Sequence, residues 1–371
     1  MRKRYVGLSV ALVVLAGALA GYVARGAQLY QRYHLAYANY SFVPDGPCGA
    51  LVAWSPPTVL YTALYVNQHS LVTIRYRSPT PQTLRISVSI PSFTDEQTLE
   101  VQAAQAFQQV TFWPPLSGPD ALNSLISLGQ RAAQITLRVH SAGGDCTVTA
   151  PVQLKSPEYM LWRDPATGAD NTDYLAGWVT EYAKPVQNFI ISATDYEAKH
   201  PADYPALISS GGLPGYTGQA TEDEVRQQVN LLFDTLQRVY HVRYGNDNAL
   251  YNGGEQRIQL PSELLGSPNG GVGMCVETTV TLASAVLSRG MRPYIIILPN
   301  EGHAFLGVAL GPAENAPVEY WETSDLNNVS GLQANLDGEN EFTKAKSRGE
   351  VIVVVDVAYE RAQGIVPIPI E

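Results

Sequence analysis

The chain has 371 residues, 45% of them hydrophobic and only 16% charged, a globular composition that excludes wholesale disorder. That length accommodates two domains of ordinary size plus extras. A formal net charge of −10, with Arg2-Lys3-Arg4 as the one basic cluster, excludes nucleic acid as a partner, because phosphate binding needs gathered Lys and Arg.

From Tyr5 to Val23 runs YVGLSVALVVLAGALAGYV, without a single charge. An apolar run of about 20 residues crosses a bilayer as a helix. The basic triplet ahead of it stays in the cytoplasm, so the expected topology is a single-pass anchor with the main body outside. The alternative is a secreted protein, with Ala18-Leu19-Ala20 as the cleavage site of a signal peptide. Next, Tyr30, Tyr33, Tyr37 and Tyr40 recur at helical spacing. That stripe suits the membrane–water boundary or packing on the soluble body. The expected division is 1–26 for the tip and membrane helix, 27–47 for a juxtamembrane segment, 48–156 for a β-sandwich domain, and 157–371 for a second domain.

Between 50 and 155, LYTALYV, SLVTIRYR, TLRISVSI, AFQQVTFW and AAQITLRVHS are rich in Val, Ile, Thr and aromatics, with turn residues between them. Several alternate polar and apolar, which predicts short strands of a sandwich. Cys48 precedes this block and Cys146 lies in its last strand, DCTVTAPVQL. In an oxidising compartment the two are natural disulfide partners.

After Pro157, LAGWVTEYAKPVQNFIISATDYEAKH reads as helix interrupted at Pro185. TEDEVRQQVNLLFDTLQRVYHV is the clearest helix, with Thr221 and Glu224 as a capping box and Val225, Val229, Leu232, Phe233 and Leu236 as the apolar face. In GVGMCVETTVTLASAVLSRG, a flexible approach through Gly270, Gly271 and Gly273 leads to a helix beginning near Cys275. A helix start stabilises a thiolate, although the neighbouring Glu277 opposes a second negative charge unless it is paired. Three strand-like runs follow: PYIIIL, HAFLGVAL opening on His303, and VEYWET with Glu322 and then Asp325. A helix followed by an antiparallel meander gathers Cys275, His303 and one of those acids at one end of a sheet. A nucleophilic thiol needs such a base, and the base needs a third group to orient its ring. Gln256 is either an oxyanion donor or part of an ordinary polar loop; Trp321 either walls the acyl site or packs in the core. A three-ligand zinc site at Cys275, His303 and Glu322 lacks any accompanying CxxC or HExxH pattern, and no metal or cofactor is expected.

The ordered runs QRIQLPSELL, GVGMCVETTVTLASAVLSRGMRP, NEGHAFLGV and YWETS, with AGWVTEYAKPV upstream, resemble the bacterial transglutaminase-like superfamily. The resemblance spans Trp178 to Thr323 and implies an α+β, papain-related core. In that family a cysteine begins the central helix, a histidine begins a following strand, and an acid comes from the next strand. Carried over, Cys275 is the nucleophile, His303 the base and Glu322 the acid, with Asp325 as fallback. Crosslinking members carry Trp after the cysteine, whereas this chain has Val276, so the acceptor stays open between water and an amine. The implied activity is acyl transfer or hydrolysis at an amide of a surface protein or peptide. The alternative is an inactive membrane-anchored binding or scaffold protein that retains the fold.

Overall fold

The computed structural model describes residues 41–42, 49–68, 70–118, 120–218, 220–245, 254–327 and 329–369. The membrane span expected at Tyr5–Val23, the tyrosine stripe and Cys48 lie outside them. Among the described residues, no helix is long and apolar enough to cross a membrane. Cys146 is disulfide-bonded, and Cys275 is free and buried.

The chain forms two compact units. The first comprises residues up to Thr58 with His69–Ser117 and Ala132–Gln153. It contains an antiparallel sheet of β1 (Ser41–Phe42), β2 (Leu51–Trp54), β4 (Val72–Arg77) and β7 (Gln108–Phe112), in that order. In a second sheet β9 (Gly144–Lys155), β8 (Gln130–Ser141), β5 (Gln82–Ser89) and β6 (Gln97–Ala103) are successive neighbours. The strand VTIRYR shows why it forms: Val72, Ile74 and Tyr76 are buried while the alternate residues are half exposed, the period-two pattern of a one-sided strand.

Two local expectations are corrected. The run LYTALYV is strand only at β3 (Val59–Tyr61), after which Thr62–Gln68 is a helix, α1. Thr62 to Val66 are all buried, so the run has no exposed face to alternate with, and a short apolar run of that kind is ambiguous between strand and helix. β6, QTLEVQA, went unpredicted because only Ala103 in it is buried and its polarity hides the strand. Val59–Gln68 and Gly118–Arg131, which holds α2 (Asp120–Ile126), belong to the second unit with Leu154–Glu371.

The second unit is built around α6 (Cys275–Ser288) and a four-stranded antiparallel sheet in the order β16 (Val318–Trp321), β15 (His303–Ala309), β14 (Pro293–Leu298), β17 (Val353–Asp356). Residues 275 to 286 of α6 are all buried, so it is a central helix rather than a one-faced one. Its hydroxyls tolerate this because they bond back along the helix: Thr279 to the Cys275 carbonyl at 2.6 Å, Thr281 to Glu277 at 2.8 Å and Ser284 to Val280 at 2.7 Å. Helices α3 (Lys184–Lys199), α4 (Glu222–Arg238) and α5 (Pro261–Gly266) pack against one another and around α6. Pro185 sits in the first turn of α3 and starts that helix instead of interrupting it, since proline lacks only an N–H that is unpaired there anyway. In α4 the capping box of Thr221 and Glu224 is formed, and the five apolar residues of its face are fully buried.

Helix α7 (Gly331–Ser347) covers the β16 edge of the sheet. Glu339 accepts the Tyr320 N–H at 3.0 Å, Asn335 donates to the Tyr320 carbonyl at 3.0 Å, and the Ala334 carbonyl accepts the Glu322 N–H at 2.9 Å. The free edge is thus satisfied by the helix. Gly338 permits this approach: a Cβ there would lie 2.6 Å from the Tyr320 carbonyl carbon and 2.7 Å from the Trp321 nitrogen. Gly338→Ala is expected to destabilise the fold by about 1–3 kcal/mol in urea denaturation, as overpacking does. Gly266→Ala, where a Cβ meets nothing within 4 Å, serves as the control.

Candidate active site

The site begins at the start of α6. The glycines ahead of it are tightly packed, contrary to the flexible approach expected from sequence. Gly270 has φ +83° and would place a Cβ 2.3 Å from the His241 carbonyl oxygen, while a Cβ on Gly271 would meet Leu264 at 2.6 Å. Two-residue strands β11 (Arg243–Tyr244) and β13 (Val272–Gly273) pair in parallel and hold the chain entering Cys275. Glu277 closes the first turn: its carboxylate accepts the Met274 N–H at 2.8 Å and the Gln259 N–H at 2.8 Å. Burial raises its pKa above the ordinary value, against the lowering effect of those bonds. Its charge is therefore directed at backbone amides.

His303 opens β15 after a hairpin whose closing pair is Leu298 with His303. The turn reaches the strand through Gly302 at φ 63°, a left-handed position that favours glycine. His303 Nε2 meets Glu322 Oε2 at 2.8 Å, and the same ring lines one pocket with Cys275, which favours its charged form. With Nε2 engaged by Glu322, Nδ1 is the ring nitrogen left for another partner. The other oxygen of Glu322 accepts the Ser324 N–H at 2.9 Å and its hydroxyl at 2.7 Å. Burial works against charge on Glu322, but the His303 and Ser324 contacts outweigh it and hold its pKa below the usual carboxylate value. For His303 too, burial opposes the charge, yet Cys275 and Glu322 prevail and raise its pKa from 6.5 to about 10.

Thr323 ties these elements together. Its hydroxyl reaches the Cys275 carbonyl at 3.1 Å and the Thr279 hydroxyl at 2.9 Å, anchoring the acid's segment to the helix turn that carries the thiol. Asp325, the fallback acid, does not contact His303 by hydrogen bond. It pairs with Asp337, and burial, the charge of Glu322 and that carboxyl together raise its pKa to about 6. Trp321 does not wall the site. Its indole is fully buried and donates to Asn230 Oδ1 at 2.8 Å, which places it in the core.

Gln256 does reach the site. It is in β12 (Glu255–Arg257), which pairs with β10 (Tyr159–Leu161), and it lines a pocket with Trp162, Cys275, Val276, Ile297 and His303. The pocket volume is about 20 Å³, room for about one water molecule. Trp162 Nε1 donates to Gln256 Oε1 at 2.8 Å. Since an indole nitrogen only donates, the amide oxygen must face Trp162, leaving the NH₂ for the pocket. Sequence reasoning missed Trp162; a lone tryptophan far ahead of the Cys helix carries no local signal. Gly302 and His303 also line an open polar groove of about 660 Å³ with Tyr244, Asp325 and Asp337 among its walls. Among the described residues, no group of three or more His, Cys, Asp or Glu is arranged to hold a metal ion.

No protein-family model matches this sequence, and no curated protein matches it.

The arrangement makes His303 a cation over a wide pH range, with a sign that follows from its raised pKa. The stabilisation from its charged contacts is complete below the ordinary histidine value of 6.5 and is lost as pH rises through about 10. Replacing Glu322→Gln removes the opposite charge and is expected to bring the His303 pKa down towards the ordinary value, by about 1–3 pH units. An NMR titration of the His303 ring protons checks this. An unchanged midpoint would show that Glu322 does not set the charge state.

Proposed function

We propose that this chain is an extracytoplasmic, membrane-anchored transglutaminase-like protein in which Cys275 attacks an amide carbonyl of a surface protein or peptide. The observation that carries the reading is the His303 ring, bonded to Glu322 and lining one small pocket with Cys275 and Gln256. That is the nucleophile–base–orienter arrangement of thiol acyl chemistry. The disulfide at Cys146 supports an oxidising compartment.

The sulfur forms a bond to the carbonyl carbon, and the π electrons move to oxygen. The Gln256 amide and the Cys275 backbone N–H, at the free end of a helix, stabilise that oxyanion. The intermediate collapses with cleavage of the C–N bond, and the leaving amine takes its proton from the His303 imidazolium. A water or amine then attacks the thioester and gives its proton to His303, and the sulfur leaves as thiolate. Val276, where crosslinking members carry Trp, leaves both acceptors open.

Alkylation by iodoacetamide at about pH 6, located by mass spectrometry, tests the pair. Cys275 in the wild-type protein is expected to react at least about tenfold faster than in His303→Ala, because His303 is the base that activates the sulfur. Equal rates in the two proteins, both rising only near the free-cysteine range of about 8.5, would sink the proposal.

A further inference from the structure

The three residues of β12 alternate in burial, with Glu255 and Arg257 exposed on either side of buried Gln256. Both flanking residues are ion-paired. Glu255 meets Lys155 Nζ at 2.9 Å and accepts the Tyr61 hydroxyl at 2.9 Å. Arg257 Nη2 is shared, at 2.5 Å from Glu158 Oε1 and 2.6 Å from Glu263 Oε1. Glu158 is 1% exposed, immediately precedes β10, and accepts the Ile258 N–H on its own carbonyl at 2.7 Å. The strand that presents Gln256 is therefore held at Arg257 by a buried carboxylate and a half-exposed one served by a single guanidinium.

A buried carboxylate next to a second carboxylate is an expensive arrangement unless something compensates it. Here the guanidinium at 2.5 Å and the Ser156 hydroxyl at 3.0 Å do so, and the Glu263 carboxyl on the same guanidinium favours the protonated form of Glu158. We propose that Glu158, Arg257 and Glu263 form a proton-linked clamp that positions the Gln256 amide towards Cys275. This rests on the reading of Cys275 as nucleophile, and it makes Arg257 and Glu158 positioning residues rather than catalytic ones.

The charged and titratable groups around the clamp are few. Ser156 lies on Glu158's own segment, Arg257 on β12 and Glu263 on α5; Glu277 on α6 adds a third carboxylate acting on Arg257 and Glu263, and the Lys155–Glu255 pair lies one residue beyond Gln256. Burial foremost, and then Glu263, raise Glu158 to about 7 against the pull of Arg257. The signs oppose: the contribution of Glu158 is complete below the ordinary carboxyl value of 4.5 and is lost as pH rises through about 7, whereas Glu263, held below its ordinary value by Glu158 and Arg257, contributes above 4.5 and loses that contribution as pH falls, so the clamp is tightest in between, with Glu158 protonated and Glu263 charged. When that proton leaves, two charges compete for one guanidinium.

Two probes separate the clamp from the thiol. Acylation of Cys275 by p-nitrophenyl acetate passes through an oxyanion, whereas alkylation by iodoacetamide is a displacement that forms none. In Arg257→Gln, acylation is expected to fall about tenfold or more while alkylation stays within about twofold, and Arg257→Lys recovers most of the loss. In the wild-type protein the ratio of acylation to alkylation falls as pH rises through about 7. In Glu158→Gln, which keeps a donor for Glu263 at every pH, that fall disappears. If Arg257→Gln does not fold by circular dichroism, Glu263→Ala, which removes the second partner of the guanidinium, is used in its place with the same expectation. Equal loss of both rates, no loss of either, or a pH-independent wild-type ratio overturns the clamp while leaving the nucleophile in place. Acylation unchanged by Cys275→Ala removes the nucleophile reading itself.

Discussion

The candidate site depends on one carbonyl oxygen. The backbone oxygen of Cys275 receives the hydroxyls of Thr279 at 2.6 Å, Thr278 at 3.0 Å and Thr323 at 3.1 Å. Two of these donors belong to the helix itself, and the third belongs to the segment that carries Glu322. The helix start and the acid are thereby fixed to each other through buried bonds, and β15, the neighbour of β16 in the sheet, supplies the histidine. Buried polar groups of this kind stabilise only when every member is satisfied, and then they specify one arrangement. A substitution at Thr323 acts on the distance between Glu322 and Cys275 without touching either side chain.

The electrostatics follow from the same enclosure. Burial disfavours charge on His303, Glu322 and Glu277 alike, yet the outcomes differ because the partners differ. His303 and Glu322 are opposite charges in contact, and each supports the ionised form of the other. Glu277 has backbone N–H groups as its hydrogen-bond partners and no cation in contact among the described residues, so burial prevails and its pKa is raised. The acid nearest the thiol in sequence therefore closes the helix turn, while the acid that engages the histidine is the residue just after β16, 19 residues beyond it.

Legibility tracked how local the physical cause was. The capping box of Thr221 and Glu224 and the buried face of α4 are set by spacings of three and four residues, and they are visible in a single stretch. The strand VTIRYR announces itself by alternation. LYTALYV fails because an unbroken buried run has no period, so only the surroundings decide between strand and helix. The glycines before Cys275 look like a hinge in one dimension; His241 and Leu264, close to them only in space, make them packing residues. Trp162 and the Glu158–Arg257–Glu263 cluster join residues about a hundred positions apart through the pairing of β10 with β12, a register no local pattern contains.

Trp321, the last residue of β16, and Glu322, the extended residue that follows it, show how far strand geometry constrains a site. Both are reasonable candidates for a cleft when read as letters. Successive side chains of a strand point to opposite faces, so neighbours cannot both enter the same pocket. Once Trp321 is committed to the core by its bond to Asn230, Glu322 is turned the other way, towards His303. Asp325 lies in the short helical turn Thr323–Asp325, where the strand direction has ended, and it reaches Asp337 on α7 instead. Core packing thus selects the acid: the tryptophan's need to bury its ring and satisfy its N–H fixes the orientation of the carboxylate beside it. Trp321→Phe keeps that packing but strands the Asn230 carbonyl without its donor, so any effect on the His303 charge state must arrive through the strand.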